Sequence, residues 1–337
     1  MTGRERVRAI IAGDPADRTA FWLGHPRQET WELYLRHFGT DSREEVRLRL
    51  GDDLRWICPQ FCATTYRHPE GKPIFGSAVS KSRHGQPGPF ADCEDPAEVE
   101  AYDWPDPDYL DFSDTLDRLR ATGEVYRASG FWTSFYHNVM DLFGMESYLV
   151  KMYTHPEVVR AVTDRVCRFY CEANERFFTA AGDEVDGFFF GNDFGTQLDL
   201  ICGPEQFDEF IMPWFRKFTE QGHRYGLQVL LHSCGSIYKV IDRLIDAGVD
   251  CLHPIQALAA NMDAETLARD FGGRMTFMGG IDTQDLLVNG SPEEVRREVL
   301  RVRGLLEPRL IVSPSHEALL PNVPAENVEA MAEAARS

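Results

Sequence analysis

Short apolar or β-branched runs recur along the chain at 19–23, 54–58, 124–128, 187–190, 228–231, 251–254, 275–278 and 310–312, each followed by a loop and then by a helical pattern. Strand–helix alternation repeated through all of these runs predicts a closed parallel (β/α)8 barrel, a TIM barrel. The intervening helices show in their periodicity and caps. Between 236 and 247 the apolar residues fall at Ile237, Val240, Ile241, Leu244 and Ile245, and the pattern stops at Gly248. Ser291, Pro292, Glu293 and Glu294 open another helix with a capping serine, a proline at the first helical position and acids in the first turn. Pro204 begins an amphipathic stretch that runs to about Tyr225. The stretch 145–181 holds more helix than a barrel needs. The stretch 64–107, rich in Gly, Pro, Asp and His, reads as an excursion over the barrel mouth. No internal repeat, low-complexity tract or linker divides the sequence, so residues 1–337 are expected to form one barrel domain with extra helices.

In such barrels the catalytic face lies at the carboxyl ends of the strands, which makes the residues just after each run the candidates. They are Gly24, His25, Pro26 and Arg27; Pro59 and Gln60; Ser129 and Gly130; Asn192 and Asp193; His232, Ser233 and Cys234; Pro254, Ile255 and Gln256; Gly280, Ile281 and Asp282; and Ser313, Pro314, Ser315 and His316. Almost every strand ends in a group capable of chemistry.

His232 and Cys234 are two residues apart at the end of an apolar strand, so their side chains point the same way. Imidazole nitrogen with thiolate sulfur is ligand chemistry that zinc prefers. In isolation the pair reads equally well as a satisfied core histidine and an inert thiol. With His316 at the end of another strand across the mouth, it points to a three-ligand metal site of His232, Cys234 and His316 with an open fourth position, as in catalytic zinc. Asp193 or Asp282 is then a fourth ligand or a carboxylate orienting an imidazole. Asp193 follows three phenylalanines, a setting that raises a carboxyl pKa and suits a general acid or base; a loop cap is the plainer reading. Of Asp52 and Asp53 at the start of their strand, one is expected to be merely solvated. Gly279 and Gly280, with Ser313 and Ser315, resemble a backbone-amide anion site. Trp22, Phe131, Trp132, Phe135 and Tyr136 either wall an aromatic pocket or belong to the core.

Composition narrows the function further. With 337 residues, 43% apolar and 26% charged, the chain has the make-up of a soluble globular protein. The net charge of −19 argues against nucleic-acid binding and against steering of a highly anionic substrate. No stretch approaches the length of a membrane span and the start has no apolar signal segment, so a cytoplasmic location is expected. Eight cysteines, at 58, 62, 93, 167, 171, 202, 234 and 251, lack framework spacing and read as mostly buried free thiols.

The segments His232-Ser-Cys-Gly-Ser236, Gly248-Val-Asp-Cys-Leu252, Phe277-Met-Gly-Gly-Ile-Asp-Thr-Gln284, Ser313-Pro-Ser-His316 and Pro324-Ala-Glu-Asn327 resemble the uroporphyrinogen decarboxylase superfamily, and the resemblance covers nearly the whole chain. That superfamily contains heme-pathway decarboxylases and zinc methyltransferases that move methyl groups between corrinoid proteins and thiols. The decarboxylases carry an arginine-rich loop that grips the carboxylates of the porphyrinogen. Here the equivalent loop is 21–28, and the two arginine positions fall on Gly24 and Gln28, leaving Arg27 alone nearby. A substrate bearing many carboxylates needs several guanidinium partners to offset its desolvation. Asp53, Tyr136 and His316 nonetheless resemble the decarboxylase's aspartate, tyrosine and C-terminal histidine. The methyltransferases carry H-x-C plus a distant cysteine. His232 and Cys234 supply the first half, the second position falls on His316, and no cysteine follows Cys251.

The resemblance therefore implies a zinc-dependent methyltransferase acting with a corrinoid protein. A cofactor-free uroporphyrinogen decarboxylase is the alternative, and a non-catalytic binder of a small ligand or corrinoid the third reading. The implied catalytic residues are Asp53, Tyr136, Asp193 and His316, and the implied substrate contacts are Trp22, His25, Arg27, Gln256, Asp282 and Gln284. Zinc with an open position would lower the pKa of a substrate thiol or polarise a methoxy or methylated-amine substrate. The corrinoid protein would dock over the barrel mouth, since the chain has no recognisable corrinoid-binding segment. The helical surplus at 145–181 is the candidate surface for a homodimer.

Overall fold

Eight parallel strands lie where the apolar runs predict them: β1 (Ala20–Phe21), β2 (Leu54–Trp56), β3 (Tyr126–Ser129), β4 (Gly187–Gly191), β5 (Gln228–His232), β6 (Cys251–Ile255), β7 (Thr276–Ile281) and β8 (Leu310–Pro314). The structure is a computed structural model that describes residues 1–61, 64–76 and 86–337; Cys62 and the part of the expected excursion at 77–85 lie outside the described residues. The strands pair in the order β1-β8-β7-β6-β5-β4-β3-β2. Two hydrogen bonds bridge the remaining seam, from Asp53 N–H to Phe21 O at 2.9 Å and from Phe21 N–H to Asp53 Oδ2 at 3.0 Å. The result is the expected (β/α)8 barrel.

Side chains alternate faces along each strand. Leu54, Ala128, Phe189, Leu230, Cys251, Met278 and Ile311 fill the barrel interior, while their neighbours Phe188, Phe190, Leu231, Leu252, Phe277 and Val312 face the surrounding helices. The N-terminal helix Gly3–Ala12 stoppers the amino-end face. Its Val7, Ile10 and Ile11 join the interior core, and a Thr2–Glu5 capping box fixes where it starts.

At that face an aspartate stands immediately before β2, β4 and β6. Each accepts the first free N–H of the preceding strand: Asp53 from Phe21 at 3.0 Å, Asp186 from Arg127 at 3.0 Å and Asp250 from Val229 at 2.7 Å. Staggered strands in a barrel leave such donors without a carbonyl opposite, and a buried unpaired N–H is costly. The carboxylates are neutralised in turn. Arg6 and Arg18 meet Asp53, Arg4 and Arg8 meet Asp186, and His223 meets Asp250. Asp52 is buried as well and pairs with Arg47 and Arg55, so neither member of the Asp52–Asp53 pair is solvated as expected.

Local departures from the sequence pattern have physical causes. The helix expected over 236–247 is a turn, Tyr238–Val240, followed by the helix Ile241–Asp246. Its start is delayed because the Ser236 N–H bonds Thr196 O and the Ser236 hydroxyl bonds Ala260 O, which hold that residue in the loop. The stretch from Pro204 to Arg224 is helical but widens into a π turn at Phe207–Ile211, just before Pro213. Proline lacks a donor and crowds the preceding turn, and the wider turn relieves both. The surplus at 145–181 is two helices, Met145–Thr154 and Pro156–Ala181. The second buries its apolar face within the chain and carries part of the excursion, Phe75 packing on Phe169 and Tyr170 with ring centroids 5.4 and 5.6 Å apart. Among the described residues no helix is long and apolar enough to cross a membrane.

Two predictions concern the amino-end carboxylates. Asp186→Ala is expected to lower the unfolding free energy by about 2 kcal/mol in urea titrations, the size of charge-assisted hydrogen bonds lost from a buried site. The hydrogen bond and charge of Asp250 hold His223 above its ordinary pKa of 6.5 against partial burial. Its stabilising contribution is full below that value and fades as the pH rises through the raised one. Wild type is therefore expected to lose a small increment of stability between about pH 6 and about pH 9 that His223→Gln lacks, read from urea midpoints at the two values.

Candidate metal centre

The interior positions of β4, β5 and β6 end, at the carboxyl-end face, in Gly191, His232 and His253. The three are register partners, Gly191 with His232 and His232 with His253. Alternation sets them one layer above Phe189, Leu230 and Cys251. Gly191 is small because the Trp132 ring occupies its side-chain space; a Cβ there would lie 2.1 Å from that ring. His232 and His253 are buried, while Trp132 and Trp56 reach partial exposure with their centroids 4.8 Å apart.

The loops after β4 and β5 are bound to each other. The Asn192 N–H bonds His232 O at 2.9 Å, and the Asn192 amide accepts from the Tyr136 N–H and donates to Thr133 O. Asp193 Oδ1 accepts the Cys234 N–H at 2.9 Å and lies 3.3 Å from His232 Nε2. Cys234 Sγ lies 3.3 Å from the same nitrogen. Gln256 Oε1 accepts the Gly235 N–H at 2.7 Å, which fixes the turn that carries Cys234.

On the other side of the ring, His232 Nδ1 is 3.1 Å from His253 Nδ1 and 3.5 Å from Glu317 Oε2. Glu317 is placed by the loop after β1. Gly24 adopts φ +81° and approaches so closely that a Cβ would sit 2.7 Å from Glu317 O, while the His25 N–H bonds that carbonyl at 2.5 Å. Glycine alone takes this backbone without strain.

The charges at this face are coupled. Enclosure by the strand ends pushes the Asp193 carboxyl up, but the hydrogen bond and charge of His232, with His137 and the Cys234 N–H, more than reverse it and leave Asp193 well below the usual carboxylate range. The expectation of a raised value is therefore corrected: the phenylalanines of β4 lie beneath Asp193, and imidazoles face it. Burial disfavours the His232 imidazolium, yet Glu317, Cys234 and Asp193 outweigh it and hold His232 well above its ordinary value. Burial raises the Cys234 thiol, partly offset by His232. Burial, then the nearby His232 and His316, push His253 far down.

The expected site residues separate into groups. His232, Cys234 and Asp193 come together. His316 stands apart, its ring centroid 6.1 Å from that of His232 and its Nδ1 accepting the Ala318 N–H, so Asp193 occupies the position expected of His316. Asp53 lies at the opposite end of the barrel with its carboxylate taken up by Arg6, Arg18 and the Phe21 N–H, which corrects its expected catalytic role. Tyr136 is buried beside Cys202, and burial raises its hydroxyl far above the ordinary value. Trp22 is buried beneath His253 with centroids 5.1 Å apart, a floor rather than a wall. His25 and Arg27 are exposed at the rim. Asp282 caps the helix Leu286–Asn289 through the N–H groups of Gln284, Asp285 and Leu286, and Gln284 is exposed. Gly279 and Gly280 lie inside β7, where a Cβ on Gly279 would meet Ile255 N at 2.5 Å and Gly280 takes φ +94° against Val302, so backbone geometry accounts for both glycines.

Two functional candidates escaped the sequence reading. His253 lies within a run read simply as strand, and its signal is register opposite His232. Glu317 adjoins His316, and nothing local in the sequence marks it out.

The donor set fits a metal ion. One ligand atom each from Asp193, His232 and Cys234 lies within 4.8 Å of the others, and the two measured pairs are 3.3 Å. Ligands about 2.0–2.3 Å from a tetrahedral zinc stand roughly 3.3–3.8 Å apart, and nitrogen, sulfur and carboxylate oxygen are all zinc donors. A second group, His232, His253 and Glu317, meets the same distance condition on the other ring nitrogen.

A barrel whose carboxyl-end face gathers imidazole, thiol and carboxylate defines a class of metal-competent TIM-barrel proteins. The sequence model of the uroporphyrinogen decarboxylase (URO-D) family matches residues 74–337, and the chain belongs to that family. Over 152 residues it is 26% identical to the methylated-thiol--coenzyme M methyltransferase of Methanosarcina mazei, a match spanning 45% of this chain and 38% of that relative. A solved methyltransferase structure from Methanosarcina mazei has the same fold, with a TM-score of 0.68 and 18% identity over 99% of this chain and 98% of that one.

Gly24→Ala is expected to cost about 2 kcal/mol in urea unfolding, from the strained backbone and the contact with Glu317 O.

Proposed function

We propose that this chain is a zinc-dependent methyltransferase that moves a methyl group to or from a corrinoid carried by a partner protein. The observation that carries the reading is the convergence of Asp193 Oδ1, His232 Nε2 and Cys234 Sγ at the carboxyl-end face. Family membership supports it, and the relative from Methanosarcina mazei is named for a methylated thiol and coenzyme M, which makes a thiol or thioether the favoured substrate class.

His232, Cys234 and Asp193 would hold the zinc, which when bound supplies Lewis acidity toward the substrate's sulfur, oxygen or nitrogen. The corrinoid would supply the cobalt that carries the methyl group. The chain's own residues have plainer tasks. Asp193 locks the Cys234 loop through its N–H, and Gln256 holds the next residue of that turn. Trp56 and Trp132 limit water beside His232, with Trp132 5.3 Å from it between ring centroids. His25 and Arg27 stand at the rim, where the polar end of a substrate enters.

The decarboxylase reading is weaker on this chain's residues. Gly24 cannot accept a side chain without displacing Glu317, Asp53 is bound by two arginines at the amino-end face, and the Tyr136 hydroxyl is buried.

Elemental analysis of the purified protein is expected to find about one zinc per chain, as four-coordinate catalytic sites hold. Cys234→Ser should lose most of it, together with demethylation of methylcob(III)alamin in the presence of a simple thiol, followed by absorbance. Zinc retained unchanged by Cys234→Ser would refute the ligand set.

A further inference from the structure

Glu317 presents an unsettled account among the mouth residues. Its side chain is 17% exposed, and Oε2 is buried with no hydrogen-bond donor. A buried carboxylate oxygen without a donor is costly, so a proton source close by matters. Ring nitrogens of three histidines lie near it, His232 Nδ1 and His316 Nδ1 each at 3.5 Å and one of His253 within 4.8 Å. His316 Nδ1 accepts the Ala318 N–H at 3.0 Å, so its lone pair is engaged and it has no proton to give. Of the two nitrogens at 3.5 Å, His232 Nδ1 is the one that can serve.

The opposite edge of the same ring makes this consequential. A neutral imidazole carries one proton, and a nitrogen binds a metal only through a free lone pair. If His253 Nδ1, 3.1 Å away, donates to His232 Nδ1, the His232 proton is forced onto Nε2 and the nitrogen facing Cys234 and Asp193 is blocked. If the ring's one proton stays on His232 Nδ1 and is donated in a hydrogen bond to Glu317, Nε2 is free. The carboxylate therefore decides between two arrangements of the His232–His253 pair. The backbone at Glu317 is pinned by Gly24 and His25, which hold the carboxylate above the ring.

We propose that Glu317 is a positioning residue that accepts a hydrogen bond from His232 Nδ1–H, keeps that proton on Nδ1 and so presents Nε2 to the metal, a role that neither Asp193 nor His316 can fill. The inference rests on the zinc reading above for its consequence but not for its geometry. Glu317→Gln keeps the shape and trades a charged acceptor for a neutral amide, whose oxygen accepts from Nδ1–H more weakly and whose NH2 competes by donating to Nδ1. Zinc affinity, measured by competition with a chromophoric chelator, is expected to fall 10- to 100-fold in Glu317→Gln, with the stoichiometry kept at saturation, as when the hydrogen-bond partner of a ligating histidine is removed. His316→Ala should stay within about twofold of wild type, since it takes no part in that network. Matching unfolding midpoints establish that the variants are folded.

A second arm needs no metal. In 15N-histidine NMR of the metal-free protein, with the pH raised until His232 is neutral, the remaining ring proton should sit on Nδ1 in wild type and shift toward Nε2 in Glu317→Gln. An affinity in Glu317→Gln equal to wild type, a collapse in His316→Ala, or an unchanged Nδ1 signal overturns the proposal. Failure of wild type to bind zinc while the Nδ1 signal responds to Glu317→Gln sinks the zinc reading and upholds the role of Glu317.

Discussion

The two-residue repeat of side chains along a strand, imposed on eight strands running the same way, is the constraint on which the rest of this molecule depends. It delivers Leu230 and Cys251 to the interior and, one layer up, His232 and His253 to the mouth. It also makes Gly191 the only tolerable residue beneath Trp132. A slip of one residue in β5 would turn His232 outward to the helices and Leu231 inward. The carboxylates before β2, β4 and β6 guard against such slips, because each bonds a defined N–H of the neighbouring strand.

The two ends of the barrel use carboxylates in opposite ways. At the amino ends Asp53 and Asp186 meet guanidinium groups, partners that stay charged at any physiological pH. Those two pairs are structural and leave nothing to exchange; Asp250, paired with His223, is the titratable member of that face. At the carboxyl ends Asp193 and Glu317 face imidazoles and a thiol, groups whose protons a divalent cation displaces. Stability is concentrated below the core and exchangeable chemistry above it, as barrels generally divide their two faces.

How far the sequence led depended on the range of the interaction. The strands were legible because each is a local apolar run, and the Ser291 capping box because it is written in four adjacent residues. His232 and Cys234 were legible for the same reason. The third member of the cluster was not: choosing among Asp193, Asp282 and His316 requires knowing that the loops after β4 and β5 bond to each other through Asn192 and Asp193. His316 looked right because histidine is a common ligand, but its Nδ1 is occupied by the Ala318 N–H. Asp53 misled because a buried aspartate at a strand start looks the same whether it serves chemistry or closes a seam. Its two arginines, at positions 6 and 18, show their purpose only when the N-terminal helix is folded beneath the barrel.

The loop after β1 shows how one backbone choice fixes the relation of two mouth loops. Its Gly24, at φ +81° and in contact with Glu317 O, brings the loops after β1 and β8 together, and the His25 N–H secures them. An arginine at position 24, as the decarboxylase pattern would have it, needs a Cβ where that carbonyl stands. Such a residue would push the β8 loop away and withdraw the Glu317 carboxylate from His232. A side chain at position 24 and the present seat of the Glu317 carbonyl therefore compete for the same space. What the glycine fixes directly is the approach of the two loops, and with it the place of the Glu317 backbone.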